Sequence, residues 1–289
     1  MSASKNEKSK TNNDVTKLLS RNALLLLAGL ILGTACSQAP YAANIEADGV
    51  GIIGGQEVEA LDDNVYSNTV VSLINVEKTS ICTASIIAPD LLLTAAHCVD
   101  GPASHLRIVF GPRLVKPVAP NTVVREVDSY MVSPLWAVRQ DMFTDASDIA
   151  VVKFSGGLPD GYKVIPLLAD SSVLSNGSTL LLAGYGLDDF DNQTGSGVLR
   201  FTETVIESVE FSATEILLNQ QNGKGACPGD SGGPAYFQVG DEWYLAGVTS
   251  RIMNKPAVNC SGFSVYTLVS AYADWIQYAA ETLRSEEYH

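Results

Sequence analysis

Between residues 69 and 269 the sequence is a succession of short apolar runs, among them "TVVSLINV", "ASIIA", "LLLTAA", "LRIVFG", "TVVREV", "IAVVKF", "TLLLAGYG", "ATEILLN", "WYLAGVTS" and "FSVYTLV", separated by Gly, Pro, Asn and Asp. The runs have the length of strands and are rich in Val, Ile and Leu, and the residues between them are turn formers, so the chain reads as an all-β sandwich or barrel. Helical spacing is convincing only near the end, where Leu268, Tyr272, Trp275, Ile276 and Ala279 fall on one face of a terminal helix. There is no internal repeat and no low-complexity tract. With 289 residues, 46% of them hydrophobic, the chain can bury a sizeable core as one large domain or two small ones. A formal net charge of −14 argues against a nucleic-acid surface, because phosphate contacts need clustered Lys and Arg.

The first 35 residues are of another kind. Lys5, Lys8, Lys10, Lys17 and Arg21 precede the apolar run Ala23 to Gly33, which is short for a permanent membrane span and reads as an export signal. The run ends in "LGTACSQAP", with small residues ahead of Cys36, so the segment resembles a bacterial lipoprotein signal in which Cys36 carries lipid, although Gly33 stands where an aliphatic residue is usual. The other reading is simple secretion with cleavage near Ala42 or Ala43. Residues 36–51 form a small, polar leader, and the folded body begins at Ile52. Five cysteines are an odd number; setting Cys36 aside leaves Cys82, Cys98, Cys227 and Cys260, an even set suited to an oxidising compartment, for which the sequence alone allows three pairings.

Three short motifs carry chemistry. "LTAAHCV" presents His97, "DASDIAVVKF" places Asp148 at the head of an apolar run, and "GDSGGP" sets Ser231 in a glycine-rich turn that leaves its hydroxyl uncovered. In this order, and together with "IIGG" (52–55), "AGYG" (183–186) and "GVTS" (247–250), they resemble the trypsin/chymotrypsin family of serine endopeptidases over roughly residues 52–280. The resemblance implies a chymotrypsin-like fold: two six-stranded antiparallel β-barrels in one peptidase domain, 52–289, with the site between them and a C-terminal α-helix packed on the body. It implies a catalytic triad of His97, Asp148 and Ser231, an oxyanion hole of the Gly229 and Ser231 N–H groups, and disulfides Cys82–Cys98 and Cys227–Cys260. It also implies activation by a cut that frees the Ile52 amine to pair with Asp230; the residue before that cut is Gly51 rather than Lys or Arg, so a basic-specific processing protease is not indicated.

Six residues before Ser231, at the position of the family's pocket floor, stands Gly225, where trypsins carry Asp; Arg and Lys are therefore not the expected substrate residues. Ser250 would pair its backbone with substrate, Arg251 replaces a usual aromatic, and Ile252 and Ser264 add bulk to the walls, which resembles elastase-type members and suggests small aliphatic residues. No cofactor is expected. No metal is expected either: "GPRLVKPVAPN" has no carboxylate for calcium, and Asp188, Asp189 and Asp191 read as a solvated acidic loop. The partners expected are a polypeptide substrate and a processing protease, with no nucleic acid, a membrane reached only through a lipid on Cys36, and a monomeric body. The rival reading from another class is a non-catalytic family member serving in binding or adhesion; such members usually lose a triad residue, whereas all three stand here.

Overall fold

The computed structural model describes residues 52–114, 122–253 and 259–285. The export signal, Cys36 and the leader therefore lie outside the described residues, as does most of the segment expected to lack calcium.

The first barrel is built from β2 (Val70–Asn75), β3 (Ser80–Ala88), β4 (Leu91–Thr94), β5 (Leu106–Phe110), β6 (Val123–Val132) and β7 (Ala150–Phe154), preceded in the chain by the edge strand β1 (Gln56–Glu57). Their order round the barrel is β2-β3-β4-β7-β6-β5, closed by pairing of β5 with β2. The four residues of β4 and the five of β7 are buried on both faces, which is why they read as unbroken apolar runs rather than as alternating ones.

The second barrel contains β8 (Thr179–Gly184), β9 (Arg200–Ser208), β10 (Glu215–Asn219), β11 (Pro234–Val239), β12 (Glu242–Met253) and β13 (Phe263–Leu268), in the order β9-β10-β13-β12-β11-β8, and it closes through β8–β9; β1 adds to the outer edge of β9. All pairings in both barrels are antiparallel. The all-β fold of two six-stranded barrels is thus the observed one. β9 is one strand that the apolar runs do not reveal, because the residues it turns inward are Arg200, Thr202, Thr204 and Ile206. Each inward hydroxyl or guanidinium needs a partner there: Thr204 donates to the Asn219 carbonyl, and Arg200 donates to the carbonyls of Gly195 and Val198 and to Glu57.

Helices are short at Val65–Asn68 (α1) and Trp136–Arg139 (α2), and a longer one, α3 (Ala273–Ser285), closes the chain. α3 buries Ile276, Ala279 and Leu283 against β6 and β7 of the first barrel. It begins later than the apolar spacing implied. Leu268 ends β13 and Tyr272 belongs to a single 3-10 turn, because the chain is still paired to β10 and β12 through Leu268.

Candidate active site

The candidate groups meet where the two barrels abut, and the backbone of the first barrel holds the glycine-rich turn of the second. Thr83, on β3, donates its N–H to the Ser231 carbonyl at 2.8 Å and its hydroxyl to the Gly229 carbonyl at 3.0 Å. From β12, the Thr249 carbonyl accepts from the Gly232 N–H at 2.8 Å. Only glycine fits at Gly232: its φ is +79°, and a Cβ there would stand 2.0 Å from Thr94 Oγ1 and 2.4 Å from the Thr83 carbonyl oxygen. Gly229, at φ +102°, lies so close to Gly186 that a Cβ would meet its Cα at 2.7 Å. Among the described residues, the N–H groups of Gly229 and Ser231 donate to no protein acceptor, and the Ser231 hydroxyl makes no hydrogen bond. Two N–H donors and a hydroxyl are therefore left for something that enters the cleft.

His97 sits in a single 3-10 turn, Ala96–Cys98, directly after β4, and Cys98 is tied to β3 by the disulfide Cys82–Cys98. Its Nδ1 is 2.8 Å from Asp148 Oδ2, and its backbone N–H donates to Asp148 Oδ1 at 3.1 Å. Asp148 is 2% exposed, and Ser250 Oγ adds a third donor to it at 2.8 Å. A buried carboxylate is tolerated when its oxygens are this fully engaged. The Ser250 contact was not legible in the sequence, where Ser250 stood out for its backbone alone. With Nδ1 committed to Asp148, Nε2 is the imidazole nitrogen available to the cleft.

Asp230, beside Ser231, is also buried, and it has no cation in contact among the described residues. It accepts from the N–H groups of Gly186 and Cys227, both at 2.8 Å. Burial pushes its carboxyl up to about 7; those two N–H bonds and the more distant Arg200 pull the other way. Gly184 and Gly186 of "AGYG" make the room, since a Cβ on either would fall within 2.5 Å of an Asp230 oxygen. Ile52 packs its side chain into the core of the second barrel, and Ile53 exchanges backbone bonds with Gly225 at 3.0 and 3.1 Å. The Ile52 nitrogen is a peptide nitrogen in this unbroken chain, and no bond joins it to Asp230.

The residues expected to wall the pocket are brought together in part. Ile252 and Ser264 are direct partners across β12 and β13, so their side chains share one face, and the disulfide Cys227–Cys260 ties the Ser231 turn to this wall. Gly225 has a neighbour the sequence did not announce. The space its side chain would occupy is filled by Gln220, whose Cδ lies 2.2 Å from an ideal Cβ. Gln220 is fully buried; its Nε2 donates to the carbonyls of Ala226 and Cys260, and its Oε1 accepts from the Ala226 N–H. It joins the backbones of Ala226 and Cys260, either side of the Cys227–Cys260 disulfide. Alongside, a cleft of about 800 Å³ is lined by Met142, Phe143, Arg251, Ile252 and Phe263 among others, and it includes neither His97 nor Ser231.

No described group of His, Cys, Asp or Glu recommends itself as a metal site: Cys82, His97 and Cys98 lie together, but both thiols are spent in their disulfide. In the acidic loop, Asp189 accepts from the backbone and side-chain amides of Asn192, which accounts for it locally.

The family model described as Trypsin matches residues 52–276. A chymotrypsin of Phaedon cochleariae is 28% identical over 214 residues, covering 69% of this chain and 72% of that protein. A tryptase of Mus musculus is 28% identical over 283 residues, covering 88% and 97%.

Proposed function

This chain belongs to the trypsin family and is a serine endopeptidase, and on that premise we propose that Ser231, His97 and Asp148 carry out its chemistry. The observation that supports this most is the 2.8 Å contact of His97 Nδ1 with the buried Asp148. A serine hydroxyl is a weak nucleophile near neutral pH. His97 Nε2 takes the Ser231 proton as Oγ attacks the substrate carbonyl, while Asp148 holds the ring in the required tautomer and stabilises the imidazolium. Collapse of the tetrahedral adduct breaks the C–N bond, and His97 passes the proton to the leaving amine. Water then repeats the sequence on the acyl-Ser231 ester and releases the acid. The N–H groups of Gly229 and Ser231 receive the oxyanion, a contribution of about 10²–10³ in rate for each donor.

The substrate is a polypeptide. Gly225 with Gln220 beneath it, and Ile252 facing Ser264, make the pocket one for small aliphatic residues such as Ala or Val. The enzyme acts outside the cytoplasm, as a monomer: residues 1–35 direct export, 36–51 are a leader that ends in lipid at Cys36 or is removed, and 52–289 form the peptidase. A processing cut before Ile52 frees the amine that neutralises Asp230. The test is a panel of peptide substrates that differ only at the residue before the scissile bond, assayed with the form whose N-terminus is Ile52. Cleavage after Ala and Val that disappears in Ser231→Ala is the expected result. Preferred cleavage after Arg or Phe contradicts the pocket, and unchanged cleavage by Ser231→Ala contradicts the triad.

A further inference from the structure

Glu215 opens β10 with its side chain fully buried and both oxygens doubly engaged. Oε2 accepts from the Asp145 N–H at 2.8 Å, and Oε1 from the Ala146 N–H at 3.2 Å. From β12, the Arg251 guanidinium closes the other side as a two-pronged pair, Nη1 to Oε1 at 2.7 Å and Nη2 to Oε2 at 2.9 Å. The same guanidinium reaches on to the Phe143 carbonyl at 2.7 Å and to Ser250 Oγ at 3.3 Å. One ion pair thus knots together β10, β12 and the loop segment 143–146.

All three lead to Asp148. The loop runs directly into it, and Asp145 and Ser147 hold φ values of +57° and +61°, which side chains bearing a Cβ keep only where their surroundings impose them. Thr214 bonds the Asp145 carboxylate, and Tyr272 bonds the Ser147 hydroxyl, so the pair has auxiliaries on both strained residues. Ser250, adjacent to Arg251, is itself a donor to Asp148.

We infer that Glu215 and Arg251 are positioning residues: the pair holds the Asp148 carboxylate against His97 and, through the same guanidinium, fixes strand residues 250–252 at the substrate wall. The inference rests on the triad reading above. A pair that served packing alone could be replaced by apolar residues of similar volume at little cost. Here, however, two of the carboxylate's four bonds go to main-chain N–H groups that only this geometry satisfies.

The experiment compares wild type with Glu215→Gln, Arg251→Met, the double variant and Arg251→Lys. Two quantities are read: kcat per fluorophosphonate-titrated site, with KM separately, and the low-field proton NMR resonance of the His97 Nδ1–H shared with Asp148. Misplacement of a catalytic group by about 1 Å costs up to roughly 10²-fold, so each of the first two variants should lower kcat about 10-fold or more and shift or broaden the resonance. The double variant should lose less than the product of the two losses, as partners in one interaction do. A kcat within about twofold of wild type and an unmoved resonance overturn the inference. If Glu215→Gln does not fold, Arg251→Lys decides, since it keeps the charge and loses the fork: a lower kcat with a moved resonance supports the inference, and no change in either overturns it. A wild-type protein whose Ser231 never takes the probe defeats the triad reading and this inference with it, whereas a wild type that takes the probe beside variants with unchanged kcat and resonance defeats this inference alone.

Discussion

At the residue scale, the site is decided by where a side chain cannot be. Gly232 has a left-handed backbone and no space for a Cβ, because Thr94 Oγ1 and the Thr83 carbonyl already fill it. Gly232→Ala must therefore push apart the two barrels' contact at the Ser231 turn. The expected loss is roughly 2–4 kcal/mol of stability, read as a lower urea midpoint, together with lost activity. A midpoint unchanged from wild type contradicts the packing described. The same logic shows what was legible. His97, Asp148 and Ser231 stand in short motifs that single them out without a structure, and the structure brings His97 onto Asp148. Gln220, Glu215 and Thr83 were not legible, since a Gln in a polar turn, or a Glu or Thr in an apolar stretch, carries no signal until its distant partners are known. Gln220 bonds to Cys260, 40 residues away, and Thr83 to Gly229, 146 residues away.

At the element scale, strands with an apolar inner face announce themselves and strands with a polar one do not. β4 and β7 were plain from their runs of Leu and Val, whereas β9 turns Arg200 and two threonines inward and β11 hides behind the glycines of the Ser231 turn. The end of β13 was blurred for another reason: Leu268 has the right spacing for a helix face, but its main-chain bonds to the second barrel outweigh that periodicity. β1 depends on β9 in a way that can be measured. Glu57 accepts from the buried Arg200 at 2.7 Å and from Arg113 at 2.6 Å, and so clamps the segment that starts at Ile52. Glu57→Gln removes a carboxylate that accepts from Arg200. Arg200 is buried but Glu57 is exposed, and the Gly195 and Val198 carbonyls still engage Arg200, so the expected cost is that of one charged hydrogen bond, about 1.5–3 kcal/mol. Faster proteolysis within residues 52–60 is the accompanying sign, and unaltered stability and protection contradict the clamp.

At the scale of the whole molecule, the two barrels, their disulfides and the terminal helix hold a site whose least settled charge is Asp230. Its carboxyl is raised from 3.8 to about 7 by burial, so the folded uncut chain binds a proton that the unfolded chain has released. The sign follows directly. The contribution is fully present below about pH 4 and is lost as the pH rises through about 7, a change on the order of 4 kcal/mol against the uncut fold. Urea unfolding of the uncut protein between pH 4 and 8 should show this decline, and Asp230→Asn should flatten it. Freeing the Ile52 amine should flatten it too, if the amine supplies the missing cation. A decline that persists in Asp230→Asn places its cause elsewhere.

The central claim, that Ser231 is a nucleophile made reactive by His97 and Asp148, is tested most directly by the rate at which a fluorophosphonate modifies the processed protein. Intact-mass and peptide analysis should find one adduct, on Ser231, absent from Ser231→Ala. In Asp148→Asn it should form about 10⁴-fold more slowly, the loss typical of such triads. An adduct on another residue, or equal rates in wild type and Asp148→Asn, would contradict the account.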